Sequence, residues 1–247
     1  MSRNVDFSHP QVPGRSSLRH ALAALCLALV ALLLATSPSH AQEPAPAVDP
    51  AVTDPAAPAA VTGTNIDSDI TQNTTWTKAG SPYNITNLID VEAGATLTIE
   101  QGVTVVVGRA SDPQWSFPLT VKGALVAQGT AAEPILFTGL RKEAGSWGGL
   151  YAGNTEQQLA SITLNYVIME YGGNTEFGDA ANLELHTVVA DINNSTFRSS
   201  KHYGVSVDYP TQVNLRNSNL TSNGVGAVIV DQIGPTFAME LTNLTAS

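Results

Sequence analysis

The sequence predicts an all-β fold, a solenoid of short parallel strands coiled into a parallel β-helix. Three observations carry that expectation. From Thr64 onward, short β-branched runs alternate apolar with polar residues and are bounded by Gly, Asn, Asp or Pro. No segment holds three turns of an i, i+3, i+4, i+7 apolar stripe, so helices are not expected in the body. A phrase also returns along the second half, as Leu164-Asn-Tyr-Val-Ile-Met169, Ile192-Asn-Asn-Ser-Thr-Phe197, Leu215-Arg-Asn-Ser-Asn-Leu220 and Leu241-Thr-Asn-Leu-Thr245, starting 28, 23 and 26 residues apart. A repeat of that length marks a solenoid, because one coil cannot bury its own apolar face.

The chain begins with a different pattern. Arg15 and Arg19 precede an uncharged apolar run, Ala21 to Ala35, which is too short for a membrane span and suits a signal-peptide core. Ser39-His40-Ala41 supplies the small-x-small site, so residues 1–41 are expected to be removed. An uncleaved anchor helix is the competing reading. Cys26, the single cysteine, lies in that run and leaves with it, so no disulfide or thiol chemistry is expected. Residues 42–63 hold five prolines and abundant alanine, and read as an extended spacer. The third region is the β-helix domain, 64–247. Its 184 residues hold about seven or eight coils at the observed spacing.

Charge narrows the partners. The 247 residues carry a formal net charge of −10, and residues 42–247 alone hold eight Lys/Arg against 20 Asp/Glu. An acidic body is not expected to bind nucleic acid. Removal of the leader also leaves no stable membrane span, and a secreted, extracellular or cell-surface location is expected, with the periplasm as the alternative.

Within the coils, stacking at about 4.8 Å places like on like. Leu164, Ile192, Leu215 and Leu241 are expected to form one inward ladder, and Met169, Phe197 and Leu220 a second. Asn194, Asn217 and Asn243 are expected to form an Asn ladder at a turn. Asn223-Gly224 is the clearest hairpin-like pair, and it recurs nowhere else in the body. Gly145, Gly148 and Gly149 surround Trp147, which reads as a corner plug, with a sugar-stacking platform as the alternative. Thr96, Thr98, Thr104 and Thr120 are expected to point outward, where a Thr array can bind water, carbohydrate or ice but more often reflects β-propensity on the solvent side.

The phrases Val91–Gly108, Leu119–Thr138, Gly145–Tyr151 and Leu164–Gly173 resemble secreted bacterial right-handed parallel β-helix repeat proteins of the pectate-lyase-like superfold. With the later repeats, the resemblance covers nearly all of residues 81–247. It implies the fold and no single activity, since lyases, glycoside hydrolases, tailspikes and adhesins share it. For a polysaccharide lyase it implies an Arg or Lys base and acidic Ca²⁺ ligands. The best local candidates for those roles are Arg198, Lys201 and His202, flanked in sequence by Asp191 and Asp208, with Glu170 in the repeat position equivalent to Arg198. A base beside a carboxylate is what such a site needs. The competing reading is an ordinary cross-coil ion pair.

The catalytic phrases themselves are absent. The paired-Asp and Gly-His-Gly phrases of β-helical polygalacturonases are missing, as are the Trp-Ile-Asp-His and Arg-x-Pro-x-x-Arg phrases of the lyases. Gly172-Gly173 and Gly178-Asp179 do not combine into a Ca²⁺-binding nonapeptide. No cofactor is therefore expected, Ca²⁺ aside, and no transition-metal site. The leading expectation is an exported, non-catalytic scaffold that binds glycans or mediates adhesion. The alternatives are a lyase or glycosidase acting on acidic polysaccharide, and a structural stalk. Ser247 falls inside a repeat, so either further coils follow or the chain is expected to associate through its C-terminal coil.

Overall fold

The structure, a computed structural model, describes residues 62–108, 117–153, 159–174, 180–209, 211–231 and 237–247. The targeting segment 1–41, nearly all of the 42–63 spacer and Gly178-Asp179 lie outside them. Every strand pairing among the described strands is parallel, and the strands form three sheets of six, seven and eight members.

Sheet I holds Ile89–Val91, Leu119–Val121, Leu150–Gly153, Ala181–His186, Tyr203–Asp208 and Gly226–Asp231. Sheet II holds Thr74–Trp76, Thr96–Ile99, Ala124–Gln128, Ala160–Asn165, Val188–Asn193, Gln212–Arg216 and Ala238–Thr242. Sheet III holds Thr64–Ile66, Tyr83–Ile85, Thr104–Val107, Ile135–Gly139, Val167–Glu170, Thr196–Arg198, Asn219–Thr221 and Thr245–Ala246. The chain visits I, II and III in turn and then climbs one level. This is a right-handed parallel β-helix, the hand that parallel crossovers take.

Alternation along each strand sends every second residue inward, and register then stacks those residues in columns. On sheet II, Ile99, Ala127, Leu164, Ile192, Leu215 and Leu241 follow one another across the coils. On sheet III, Val105, Phe137, Met169, Phe197 and Leu220 do the same. Both expected ladders are present, but their ends differ from their middles. Ile192 and Leu215 are buried, whereas Leu241, on the last described strand of its sheet, is 42% exposed. Each fully buried Leu, Ile or Phe contributes about 1.5–3 kcal/mol, so the central coils hold most of the stabilisation.

In the four later coils the corner between sheets II and III holds one left-handed residue each. Tyr166, Asn194, Asn217 and Asn243 have φ of 49, 49, 49 and 51°. Asn tolerates this region because its side chain bonds locally. The Asn ladder is direct at its last step, as the repeat suggests, and offset by one position at the two steps before it. Asn194 donates to Asn165 Oδ1 (3.0 Å), Asn217 to Asn193 Oδ1 (2.8 Å) and Asn243 to Asn217 Oδ1 (2.9 Å). Behind it runs a serine column that the sequence reading missed. Ser195 and Ser218 are fully buried, and the Oγ of Ser195 and of Ser218 accept the N–H of Val167 and of Ser195 respectively.

Other expectations sort cleanly. Asn223 makes no hairpin; its Oδ1 accepts the Ser200 N–H and its Nδ2 donates to the Phe197 carbonyl, clamping two coils at a turn. The outward threonines make no array, because Thr96 and Thr98 lie on sheet II, Thr104 on sheet III and Thr120 on sheet I. Trp147 is fully buried and its indole N–H donates to the Glu170 carbonyl (2.9 Å). It plugs the corner and offers no platform. Gly149 permits this corner at φ 103°, where a Cβ would stand 2.2 Å from the Ala181 carbonyl oxygen.

Candidate functional site

The sequence-predicted residues divide among three faces. Glu170 and Arg198 are register partners on sheet III, and Lys201 and His202 follow in the turn that leads to sheet I. Asp191 lies on sheet II and Asp208 at the end of a sheet I strand, although both flank the cluster in sequence.

The Glu170 corner is a closed network. Arg198 donates from Nε (2.8 Å) and Nη2 (2.6 Å) to Glu170 Oε2. Thr138, one coil below, donates its hydroxyl to Oε1 (3.0 Å), and Lys142 Nζ stands 3.5 Å from the same oxygen. Lys142 also lies 5.6 Å from the centre of the Tyr171 ring. Burial pushes the Glu170 carboxyl up. The hydrogen bonds from Arg198 and Thr138, with the charges of Arg198 and Lys142, outweigh that and hold it below the ordinary carboxylate value. Two of the guanidinium nitrogens of Arg198 are thus engaged as donors to Glu170 and are turned to that carboxylate rather than to a substrate.

Lys201 and His202 are also engaged. Lys201 donates to Asn174 Oδ1 (2.9 Å), and His202 Nδ1 lies 2.9 Å from the Gly173 carbonyl. A carbonyl only accepts, so Nδ1 carries the proton. Asp191 is paired with Arg216 (2.5 Å), which also reaches Glu240 (3.3 Å). No group of three His, Cys, Asp or Glu converges as a metal site among the described residues.

The feature that sequence reasoning missed is an aromatic ledge on the outer face of sheet I. Tyr151 stacks near His186, with ring centres 6.4 Å apart and planes 24° from parallel. Tyr209, 45% exposed, meets His186 edge-on at 5.5 Å. Glu184 and Asp208 border the ledge: Tyr151 pairs with Glu184, and Gly153, His186 and Asp208 share one register row. His186 Nε2 stands 3.7 Å from Asp208 Oδ2. The signal was available. Leu150-Tyr-Ala-Gly153, Leu183-Glu-Leu-His186 and Val205-Ser-Val-Asp208 share one inward apolar pattern, and aligning them brings the outward residues together.

Chemically, the ledge presents ring faces and edges beside hydroxyl, imidazole and carboxylate groups on a rigid sheet. That combination suits an amphipathic ring with apolar C–H faces and polar rims.

Residues 68–184 match the family model described as a pectate-lyase-like beta helix domain. No curated protein and no solved structure matches the chain.

Proposed function

We propose, from the match of residues 68–184 to the pectate-lyase-like beta helix domain, that this chain is an exported scaffold that binds glycan without cleaving it. The domain type supports a carbohydrate-related role in general. The observation that carries the finer reading is the Tyr151–His186–Tyr209 ledge, in which sheet I holds the first two rings and the third follows the strand end, with polar groups on its border. The state of the basic residues also favours binding over cleavage. Arg198 is committed to Glu170 and Lys201 to Asn174, so neither is poised as a base. The apolar run Ala21–Ala35 with the small-residue site at Ala41 supports export.

The test is a glycan array probed with residues 42–247, together with a cleavage assay on a panel of neutral and uronide polysaccharides. Binding that weakens about tenfold or more in Tyr209→Ala, with no product formed, is the expected result. Release of unsaturated or reducing ends overturns the non-catalytic reading. An array with no bound glycan overturns the binding one.

A further inference from the structure

We infer that the glycan taken by the sheet I ledge carries amines: a polysaccharide of amino sugars in their free ammonium form. This deepens the reading above and rests on it. The aromatic ledge locates the site, and the charges around it select the ligand.

The outer side of sheet I and its borders carry Asp90, Glu92, Glu184, Asp208 and Asp231. On the strands of sheet I and the residues just after them, the single Lys or Arg among the described residues is Lys122, which is paired with Asp90 (2.6 Å) and Glu92 (3.4 Å); Lys201, in the turn before Tyr203, donates to Asn174. The carboxylates flank the rings themselves. Glu184 stands beside Tyr151 in register, and Asp208 lies in the His186 row next to Tyr209. Burial and the charges of Glu184 and Asp208 all push the Tyr151 hydroxyl's pKa up, which reports the negative field at the ledge.

A polyuronide brings one carboxylate per sugar and meets like charge along this face. A sugar ammonium meets the opposite situation. It is attracted to the π-faces of Tyr151 and Tyr209, and its N–H groups match carboxylate acceptors. The body as a whole, with eight Lys/Arg against 20 Asp/Glu, draws a polycation toward it. The basic corner at Arg198 does not offset this locally, since it belongs to sheet III and its turn and is largely consumed by Glu170.

The experiment measures binding of the 42–247 chain to three oligosaccharides of equal length: a β-1,4-glucosamine oligomer, its fully N-acetylated form and an oligogalacturonate. The amine form is expected to bind about tenfold or more tighter than the acetylated one, with no binding of the galacturonate. Tyr209→Ala and Asp208→Asn should each weaken the amine form several-fold, while Asp191→Asn, a carboxylate on sheet II, should not. Equal binding of amine and acetylated forms, or preference for galacturonate, overturns the ligand class and leaves the glycan reading standing. No binding of any glycan on the array or in this set overturns that reading itself. Equal losses in Asp208→Asn and Asp191→Asn show diffuse polycation attraction and overturn the assignment to the ledge. Thermal melts of the exposed Tyr209→Ala variant separate loss of binding from loss of fold.

Discussion

Glu170 and Arg198 face each other across one coil of the helix, and both Nε and Nη2 of the arginine donate to the same carboxylate oxygen. The pair is lopsided: the Glu170 side chain is 6% exposed and that of Arg198 is 46%. The two halves therefore fail differently. Arg198→Met leaves a buried carboxylate with only Lys142 and Thr138, and is expected to cost about 3 kcal/mol. Glu170→Gln frees a guanidinium that water can solvate, and is expected to cost about 1–2 kcal/mol. Denaturant unfolding of both variants checks the order; a larger loss in Glu170→Gln would contradict it.

The same carboxyl predicts an acid limb. Its folded pKa lies below its unfolded one, so its contribution is complete above the unfolded value, about 4.3, and fades as pH falls through the folded value. The Tm gap between the native chain and Glu170→Gln should be constant near neutrality and narrow below about pH 4.3. A gap that persists unchanged into strong acid argues that Glu170 does not titrate this way.

Asn217 has two duties, holding φ at 49° and joining the ladder as donor to Asn193 and acceptor from Asn243. Asn217→Gly removes only the second, and Asn217→Val removes both. The valine variant should be less stable than the glycine variant by at least about 1–2 kcal/mol, the left-handed cost of a side chain. Equal stabilities would assign the whole effect to the ladder.

Gly149→Ala tests the corner before sheet I. At φ 103° and with the new carbon 2.2 Å from a carbonyl oxygen, the strand cannot keep its place. A loss above about 4 kcal/mol, or failure to fold, is expected by circular dichroism.

Position along the helix sets the cost of cavities. Phe197→Ala in the central column should cost about 3–5 kcal/mol. Leu241→Ala keeps the same inward register at the exposed last strand of sheet II and should cost less than about 1 kcal/mol. Comparable losses would show that the terminal coil is buried in solution, by a partner or by further coils.

The columns were legible because a period-2 pattern and a recurring phrase are one-dimensional signals. Leu164, Ile192 and Leu215 could be aligned by eye, and Glu170 fell opposite Arg198 for the same reason. The ledge needed a different alignment, across strands whose outward residues, Tyr151, Glu184 and Ser206, have nothing in common. The shared inward Leu and Val carry the register, while chemistry sits on the positions that vary. Trp147 could be read either way from sequence, since a plug and a platform use the same residue. Only its burial decides. The offset of the earlier Asn bonds was hidden too, because it depends on which of two adjacent asparagines turns outward at the corner.

The left-handed column at Tyr166, Asn194, Asn217 and Asn243 has a consequence for how the molecule changes length. Successive members are 28, 23 and 26 residues apart in sequence, yet their backbones occupy equivalent places. What repeats is the corner, and the chain between corners varies in length. A single circuit, Asn194 through Arg216, is therefore a removable segment: its excision would rejoin Asn193 to Asn217 at an equivalent corner and lower the tower by one storey. Growth and shrinkage of such a protein are edits in whole storeys, with the turn loops free to differ on each.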